Sequence, residues 1–264
     1  MDELIVRARD ILVDPETSAE KRVHEARKRF KETRALIHLI RKPLGDQFAH
    51  ENAWYRDAGR ELAAARDADA MVAALEKLEF PARTKQRARK VLDAQRADHP
   101  PLDPLIADVV DQLVVAHGRV GMWPELDDSF ETIADGLLRT YRDGRRDLQQ
   151  HETPEELHDW RKRVKEHWYH VQLLRHVWPD MMKPYAEVLS TLSHALGDHH
   201  DLHVLRDRLE KAGRFGPTLK VIDERQDKLQ REAEEIGARV YAEKPRAWLA
   251  RMRKYWDSWP RTAH

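Results

Sequence analysis

The sequence predicts an all-α protein, and three observations support this fold class. Strand-like alternation of apolar and polar residues is absent, only 10 of the 264 residues are glycine, and Ala, Leu, Arg, Glu and Lys dominate. Turn-forming segments divide the chain; they read DPETS, KPLGD, FPART, DHPPLDP, GMWPELDD, HETPEE, VWPDMMKP, GRFGP and EKP. We therefore expect about ten helices.

An internal repeat organises these helices. A shift of 134 residues aligns Val23–Lys77 with Leu157–Lys211 without a gap and leaves about fourteen identical positions. Register held over three helices and their turns indicates a duplication. We expect a single domain over 1–264, composed of repeat 1 at about 1–124 and repeat 2 at about 125–264. Each repeat is predicted to be a helical bundle, and the two are predicted to be related by pseudo-two-fold symmetry.

Composition excludes several classes of protein. Lys plus Arg and Asp plus Glu number 47 each, so the net charge predicts no anionic partner, but nine Lys or Arg face two Glu between Lys21 and Lys42. The lack of cysteine excludes a disulfide, a thiol nucleophile and a Cys-type zinc site. No apolar run approaches the roughly 20 residues that cross a bilayer, and the N-terminus is unlike a secretory signal. We therefore expect no membrane partner and a cytoplasmic location.

The repeated segments VHEARKRFKE and LHDWRKRVKE each predict a helix with a core face beside a cationic face. At about 100° per residue the core face holds Val23, Ala26, Phe30, Thr33, Ile37, Ile40 and Leu44, and in the second copy Leu157, Trp160, Val164, His167, Val171, Leu174 and Trp178. The cationic face of the first copy, here the first stripe, holds His24, Arg27, Lys28, Lys31, Arg34, His38 and Arg41. The second stripe holds His158, Arg161, Lys162, Lys165 and Arg175.

Each stripe has two interpretations. It is either a solvated face, with bases paired to acids of another helix, or a polyanion site, in which Arg offers a fork of donors to phosphate and Lys a mobile charge. We expect Glu25 and Glu32 to lie on the far side of the helix, near Arg29, where they leave the stripe unneutralised. Because the stripe is repeated, the polyanion site is favoured. Arg142 and Arg145 precede the second stripe, and a basic segment, ARTKQRARK, follows FPART.

These motifs resemble the CHAD family, the conserved histidine α-helical domains. The resemblance is carried by His-x-x-Arg-x-x-x-Lys in each copy, by ARDADAMVAAL at Ala65 and LGDHHDLHVL at Leu196, and by the closing ARVYAEKPRAWLARMRKYW. It implies two pseudo-symmetric four-helix bundles with a basic groove or pore that binds inorganic polyphosphate without catalysis. The implied contacts are His24, Arg27, Lys28, Lys31, Arg34, His158, Arg161, Lys162 and Lys165, with Arg142 and Arg145 as additions; His38 and Arg41 complete the first stripe.

The resemblance also implies departures and partners. The family pattern often has Arg where this chain has Glu32, Glu166 and Trp168, so we expect the first stripe to bind more strongly. Some members associate with storage granules, which are a further implied partner. Members occur alone or fused to a triphosphate-tunnel enzyme domain, and we expect the stand-alone type.

A cluster of histidines and aspartates leaves a metal site open as an alternative. His194, His199, His200 and His203 surround Asp198 and Asp201, and His199 and His203 are spaced to share one helical face. The first copy does not repeat the histidines, having Ala65, Arg66 and Asp69 instead, so no metal and no cofactor are expected. Asp67 and Asp201 recur after expected helix breaks, as helix caps or as buried partners of a stripe arginine. We expect Trp168 and Tyr169 to pack at the core or its rim rather than to stack on bases.

Three functions therefore remain in competition. The first is non-catalytic polyphosphate binding; the second is nucleic-acid binding, which lacks a recognition module or an aromatic ladder. The third is a metal-dependent phosphohydrolase using the cluster at 194–203. Because imidazole titrates near pH 6.5, His24 and His158 predict that polyanion affinity rises as the pH falls from about 8 to 6.

Overall fold

The fold is all-α, as predicted. The computed structural model describes residues 1–62, 67–94, 101–213 and 215–260, without the side chains of residues 67–70. Within those ranges the chain forms twelve helices and no strand. The helices are α1 (Asp2–Val13), α2 (Ala19–Leu39), α3 (Arg41–Leu44), α4 (Gln47–Glu61), α5 (Asp67–Glu76), α6 (Ala82–Ala94), α7 (Leu102–Val120), α8 (Phe130–Asp147), α9 (Pro154–Leu173), α10 (Pro179–Ala212), α11 (Gly216–Val240) and α12 (Pro245–Asp257).

The chain divides into two compact units. The first unit comprises Met1–Val72 and Leu92–Asp128, and the second comprises Ala73–Val91 and Ser129–His264. In the first unit α2 packs against α1, α4 and α7, and α1 also packs against α7. In the second unit α9 packs against α8 and α10, α10 packs against α11, and α12 packs against α8.

The neighbours of the two stripe helices correspond. When 134 is added to the residue numbers, α1 corresponds to part of α8, α2 corresponds to α9, and α4 corresponds to the first half of α10. Two pairs of packed helices in the first unit then have counterparts in the second: α1 and α2 match α8 and α9, and α2 and α4 match α9 and α10. Residues 73–91 belong to repeat 1 by sequence but are grouped with the second unit. The helix that carries each stripe therefore lies between the same two neighbours.

The predicted core faces of the stripe helices are buried with one exception. All seven predicted core positions of the first copy are at most 5% exposed, including Ile40 and Leu44 beyond the end of α2. In the second copy Trp160, Val164 and His167 are at most 1% exposed. Trp178 is 42% exposed and the prediction was wrong there, because α9 ends at Leu173 and Trp178 instead precedes α10, with its ring 4.8 Å from that of Tyr255.

Helix α10 corrects a second expectation. The sequence suggested a helix break before Asp201, but α10 runs unbroken from Pro179 to Ala212, so Asp201 cannot cap a helix. In the first unit the corresponding span is two helices, α4 and α5, and α5 begins at Asp67. The residues Ala65 and Arg66 and the side chains of Asp67 and Asp69 lie outside the described part of the chain. Among the described helices, none has a stretch of apolar residues long enough to cross a bilayer.

Candidate functional site

The first stripe begins on the N-terminal half of α2. Lys31 is exposed, His24, Arg27 and Lys28 are half-buried, and the helix carries them past the buried Val23 and Ala26. Glu25 Oε1 lies 2.7 Å from Lys28 Nζ and 3.6 Å from His24 Nε2. The expectation that Glu25 lies away from the stripe was therefore wrong, because a residue three positions before Lys28 is its neighbour on the helix surface. This half of the stripe is partly neutralised but open to solvent.

The C-terminal half of the first stripe lies against α4. Arg34 Nε donates to Asn52 Oδ1 at 3.0 Å, and His38 Nε2 lies 3.0 Å from the same oxygen. Since an amide oxygen only accepts, His38 donates from Nε2. The Arg41 guanidinium lies 4.6 Å from the centre of the Phe48 ring. Asn52 and Phe48 thus fix the direction of three stripe side chains.

The second stripe runs along α9. Lys162 is exposed, and its Nζ is 2.8 Å from Asp159 Oδ1. Lys165 Nζ lies 4.0 Å from the centre of the Trp168 ring, within the range of a cation–π contact. Trp168 is half-buried and Tyr169 is buried, as expected for rim and core packing. Arg175, at the end of this stripe, is exposed and donates from Nε to His176 at 3.2 Å.

Arg161 of the second stripe is partly enclosed by the protein. Burial lowers the pKa of this guanidinium, and the charge of Asp201 on α10 opposes that effect. The interpretation of Asp201 as a partner of a stripe arginine is thereby supported over the capping role. A Cβ added at Gly197 of α10 would lie 3.8 Å from Arg161 Nε, so the arginine extends along a helix surface that lacks a side chain at this point.

A cleft between α9 and α10 holds four histidines. This histidine cleft is lined by His158, His199, His200 and His203, together with Pro154, Leu157 and Leu196. The rings of His158 and His200 are 4.3 Å apart with 30° between their planes. Burial lowers the pKa of His158, of His199 and of His200, that of His200 to about 4, and the charges of Arg161 and Lys162 add to the effect on His158.

The two arginines predicted to extend the site on α8 differ in their surroundings. Arg142 is exposed and pairs with Asp143 at 3.2 Å. Arg145 is half-buried and donates to the carbonyl oxygens of Tyr241, Ala242 and Glu243 that follow α11. The first of these carbonyls belongs to the C-cap of α11, where a helix leaves carbonyl groups unpaired, and the other two belong to the turn that leads to α12. Arg145 therefore holds this turn rather than extending the cationic surface.

Acids and bases are balanced on the other flank of each stripe helix. Arg29 and Glu32 lie 2.6 Å apart on α2, and Arg163 and Glu166 lie 3.2 Å apart at the same register on α9. Glu166 also accepts from Thr140 at 2.9 Å. Glu32 and Glu166 are therefore directed away from the stripes, as predicted for Glu32.

The described residues do not support the metal alternative at the histidine cluster. Within the described ranges, no group of three or more His, Asp or Glu side chains is arranged to hold a metal ion. His203 is instead 3.7 Å from Asp207, and Asp198 is 2.7 Å from Lys77.

In the basic segment on α6, Lys85 Nζ lies 3.4 Å from Glu76 Oε2, and the Arg87 guanidinium lies 4.1 Å from the centre of the Phe215 ring.

Sequence reasoning missed three residues of these surfaces. Asn52 and Phe48 orient the first stripe, and His200 pairs with His158 across the histidine cleft. The periodicity of a helix identifies which of its residues share a face, but not which residues of another helix meet them. His200 was visible only as part of a histidine-rich segment, and its neighbour on α9 could not be identified.

Comparisons with known proteins give one match. The sequence model of a family described as CHAD domain matches residues 6–210, well over half of the 264-residue chain. The matched range includes both stripes and the histidine cleft. Curated proteins and solved structures give no match.

Proposed function

Because the chain belongs to the CHAD domain family, we propose that it binds inorganic polyphosphate through the two stripes and does not act on it chemically. One observation carries the proposal most strongly. Both stripe helices bury one face and direct Glu32 or Glu166 to the same far flank, with bases left on the near flank. Like charges three and four residues apart repel, so a repeated arrangement of this kind is favourable when an anion occupies it.

The bases divide into two kinds. Lys31, Lys162 and Arg142 are exposed to solvent, where their charged groups can adjust to a flexible chain. Arg34 and His38 are held by Asn52, and Arg161 is enclosed near Asp201, so their donors are fixed in advance of binding. Fixed donors lose less side-chain freedom on binding, and mobile ones adapt to chains of different conformation. Arg145 is left out of the proposed contact set because its guanidinium holds the turn after α11.

Two internal acids moderate the affinity. Glu25 lies within ion-pair distance of Lys28 and His24, and Asp159 lies within ion-pair distance of Lys162. These pairs are at least partly open to solvent and therefore weak, so a phosphate can displace the carboxylate at little cost. Because each unit has one such acid on its stripe, the difference between the stripes rests on the extra bases Arg34 and His38, whose counterparts in the second copy are Trp168 and Gln172. We expect the first stripe to contribute more of the affinity.

Binding to polyphosphates of several lengths tests the proposal. The affinity should rise with chain length, fall steeply with salt through counterion release, and resist competition by pyrophosphate. Duplex DNA and RNA are added as competitors at matched phosphate concentration. If either displaces long-chain polyphosphate, nucleic acid is the better assignment. If phosphate is released in the presence of Mg²⁺, Mn²⁺ or Zn²⁺, the protein is an enzyme and the non-catalytic proposal fails.

A further inference from the structure

The histidine cleft contains an unusually close pair of imidazoles. His158 on α9 and His200 on α10 have ring centres 4.3 Å apart, and the cleft continues past them to His199 and His203. Its internal volume of about 10 Å³ has room for a water molecule but not for a phosphate group. A phosphate therefore acts on these rings from the adjoining stripe rather than from inside the cleft.

Two features disfavour protonation of His158 when no anion is bound. His158 Nδ1 is buried without a hydrogen-bond partner from the protein, and an imidazolium would need an acceptor at that atom because both of its nitrogens donate. The cations of the second stripe, Arg161 and Lys162, also face this ring. Each of these features disfavours a positive charge on His158, and two protonated rings at this distance would repel each other.

The charges that face the pair come from three helices. On α9 they are Asp159, Arg161 and Lys162, of which only the aspartate favours protonation of His158. On α10 they are His199 and His203, which disfavour protonation of His200, and Asp201, which acts on Arg161. On α11 Asp227 favours protonation of His199. The cations and the burial outweigh the acids, since the pKa of both His158 and His200 is lowered.

We propose that the histidine cleft is the proton-accepting part of the phosphate site, neutral when the second stripe is empty and protonated when a polyphosphate lies on it. The proposal rests on the proposed function, because the anion that reverses the local field is the polyphosphate. An anion at Arg161 and Lys162 cancels the charges that disfavour protonation and adds a negative charge beside the pair. By linkage, a ligand that raises the proton affinity of a group binds more tightly at lower pH.

This coupling changes the basis of the expected pH dependence. Because burial and the neighbouring Lys162 and Arg161 lower its pKa, His158 in the free protein is protonated less readily than an ordinary histidine. An increase in affinity as the pH falls therefore requires that the bound chain raise the pKa of the pair. The structure adds His200 to the histidines on which the pH dependence was expected to depend. His200 and His158 titrate as a coupled pair rather than as two separate groups.

Calorimetry measures the proton uptake directly. The full chain is titrated with long-chain polyphosphate at pH 5 in acetate and in piperazine, whose ionisation enthalpies differ. Long chains are used because only their terminal phosphates bind protons at this pH. The difference in observed enthalpy gives the number of protons taken up, which should be smaller by roughly 0.4 in His200→Gln, because a rise of about one unit in the pKa of His200 from about 4 takes this ring from mostly neutral to about half protonated at pH 5. The matched control is His117→Gln, an exposed histidine on α7 that contacts Asp2 and no stripe residue, and it should take up protons as the wild type does.

The outcomes separate the two proposals. If the wild type does not bind polyphosphate, the proposed function fails. If it binds and His200→Gln takes up as many protons as the wild type, the function stands and the cleft is not the proton acceptor. A histidine-selective NMR titration of the wild type covers the case in which the variant does not fold. Two imidazoles should titrate about one pH unit higher with polyphosphate present, corresponding to a tenfold change in proton affinity; unchanged midpoints overturn the proposal.

Discussion

His167 lies in the core of the second unit, where the sequence placed it, between two tyrosine hydroxyls. Its Nε2 is 3.2 Å from Tyr185 Oη and its Nδ1 is 3.3 Å from Tyr241 Oη. A neutral imidazole has one donor and one acceptor, so one tyrosine donates to the ring and the other accepts from it. Burial lowers the pKa of His167 to about 3. This histidine is a structural residue, in contrast to those of the histidine cleft.

The lowered pKa of His167 predicts a loss of stability in acid. In the unfolded chain this histidine has a pKa near 6.5 and binds a proton below that pH, whereas in the folded state it binds a proton only near pH 3. Stability contributed by neutral His167 is therefore full above pH 6.5 and decreases as the pH falls toward 3. Between pH 6.5 and 5 the free energy of unfolding should fall by roughly 1.5 kcal/mol on account of this residue. Urea unfolding of the wild type and of His167→Gln measures it.

His167→Gln should be less stable than the wild type at pH 7.5, because the glutamine cannot fill the site of the ring. Its stability should nevertheless fall less steeply between pH 6.5 and 5, since the titrating group is gone. His176→Gln, at an exposed position, should follow the wild-type pH profile. Parallel pH profiles for His167→Gln and the wild type would show that His167 is not the group responsible.

At the scale of the helices, the fold was predictable where apolar periodicity is strong. The core faces of α2 and α9 were predicted from spacing alone, and the turn segments mark most helix ends. The prediction that Trp178 is buried was wrong because the helical periodicity was extended beyond the last turn of α9. The predicted helix break before Asp201 is absent from α10. Glycine, aspartate and histidine favour turns only weakly, and the packing of α10 against both α9 and α11 overrides that preference.

Gly197 on α10 and Gly237 on α11 both lie near side chains of α9, but replacing each by alanine is expected to have opposite effects on stability. A Cβ at Gly237 of α11 would lie 2.7 Å from Trp160 Cζ2 and 3.1 Å from Leu148 Cδ1, whereas one at Gly197 of α10 meets nothing nearer than 3.8 Å. Trp160 is fully buried and cannot move aside. Gly237→Ala should therefore destabilise the protein by about 1–3 kcal/mol through overpacking. Gly197→Ala should stabilise it by about 0.5–1 kcal/mol through helix propensity.

Thermal unfolding of the two alanine variants provides the comparison. Each kcal/mol corresponds to roughly 2–4 °C in Tm for a protein of this size. Because alanine has the same helix propensity in both, any difference in sign comes from packing around the added methyl group. A higher Tm for Gly237→Ala would mean that α11 and Trp160 are not in the close contact described.

For the whole molecule, the sequence predicted the segregation of charge but not its pairing. A net charge of zero and a cationic segment at 21–42 follow from counting residues. Which acid reaches which base depends on side-chain geometry, as the contacts of Glu25 with Lys28 and of Asp159 with Lys162 show. Packing between helices likewise decided that Arg145 meets carbonyl groups and that His158 meets His200. The stripes were predictable from one helix at a time, and their surroundings were not.

We propose that polyphosphate binds to the stripes rather than to positive charge in general. The most direct measurement compares the affinity of Lys31→Glu plus Lys162→Glu with that of Lys211→Glu plus Lys228→Glu. All four lysines are exposed, and both double variants change the net charge equally. The stripe variant should lose at least about tenfold in affinity, about 1.4 kcal/mol, with a shallower dependence on salt. The control should bind nearly as the wild type does; equal weakening of the two variants, or none in either, would contradict the claim.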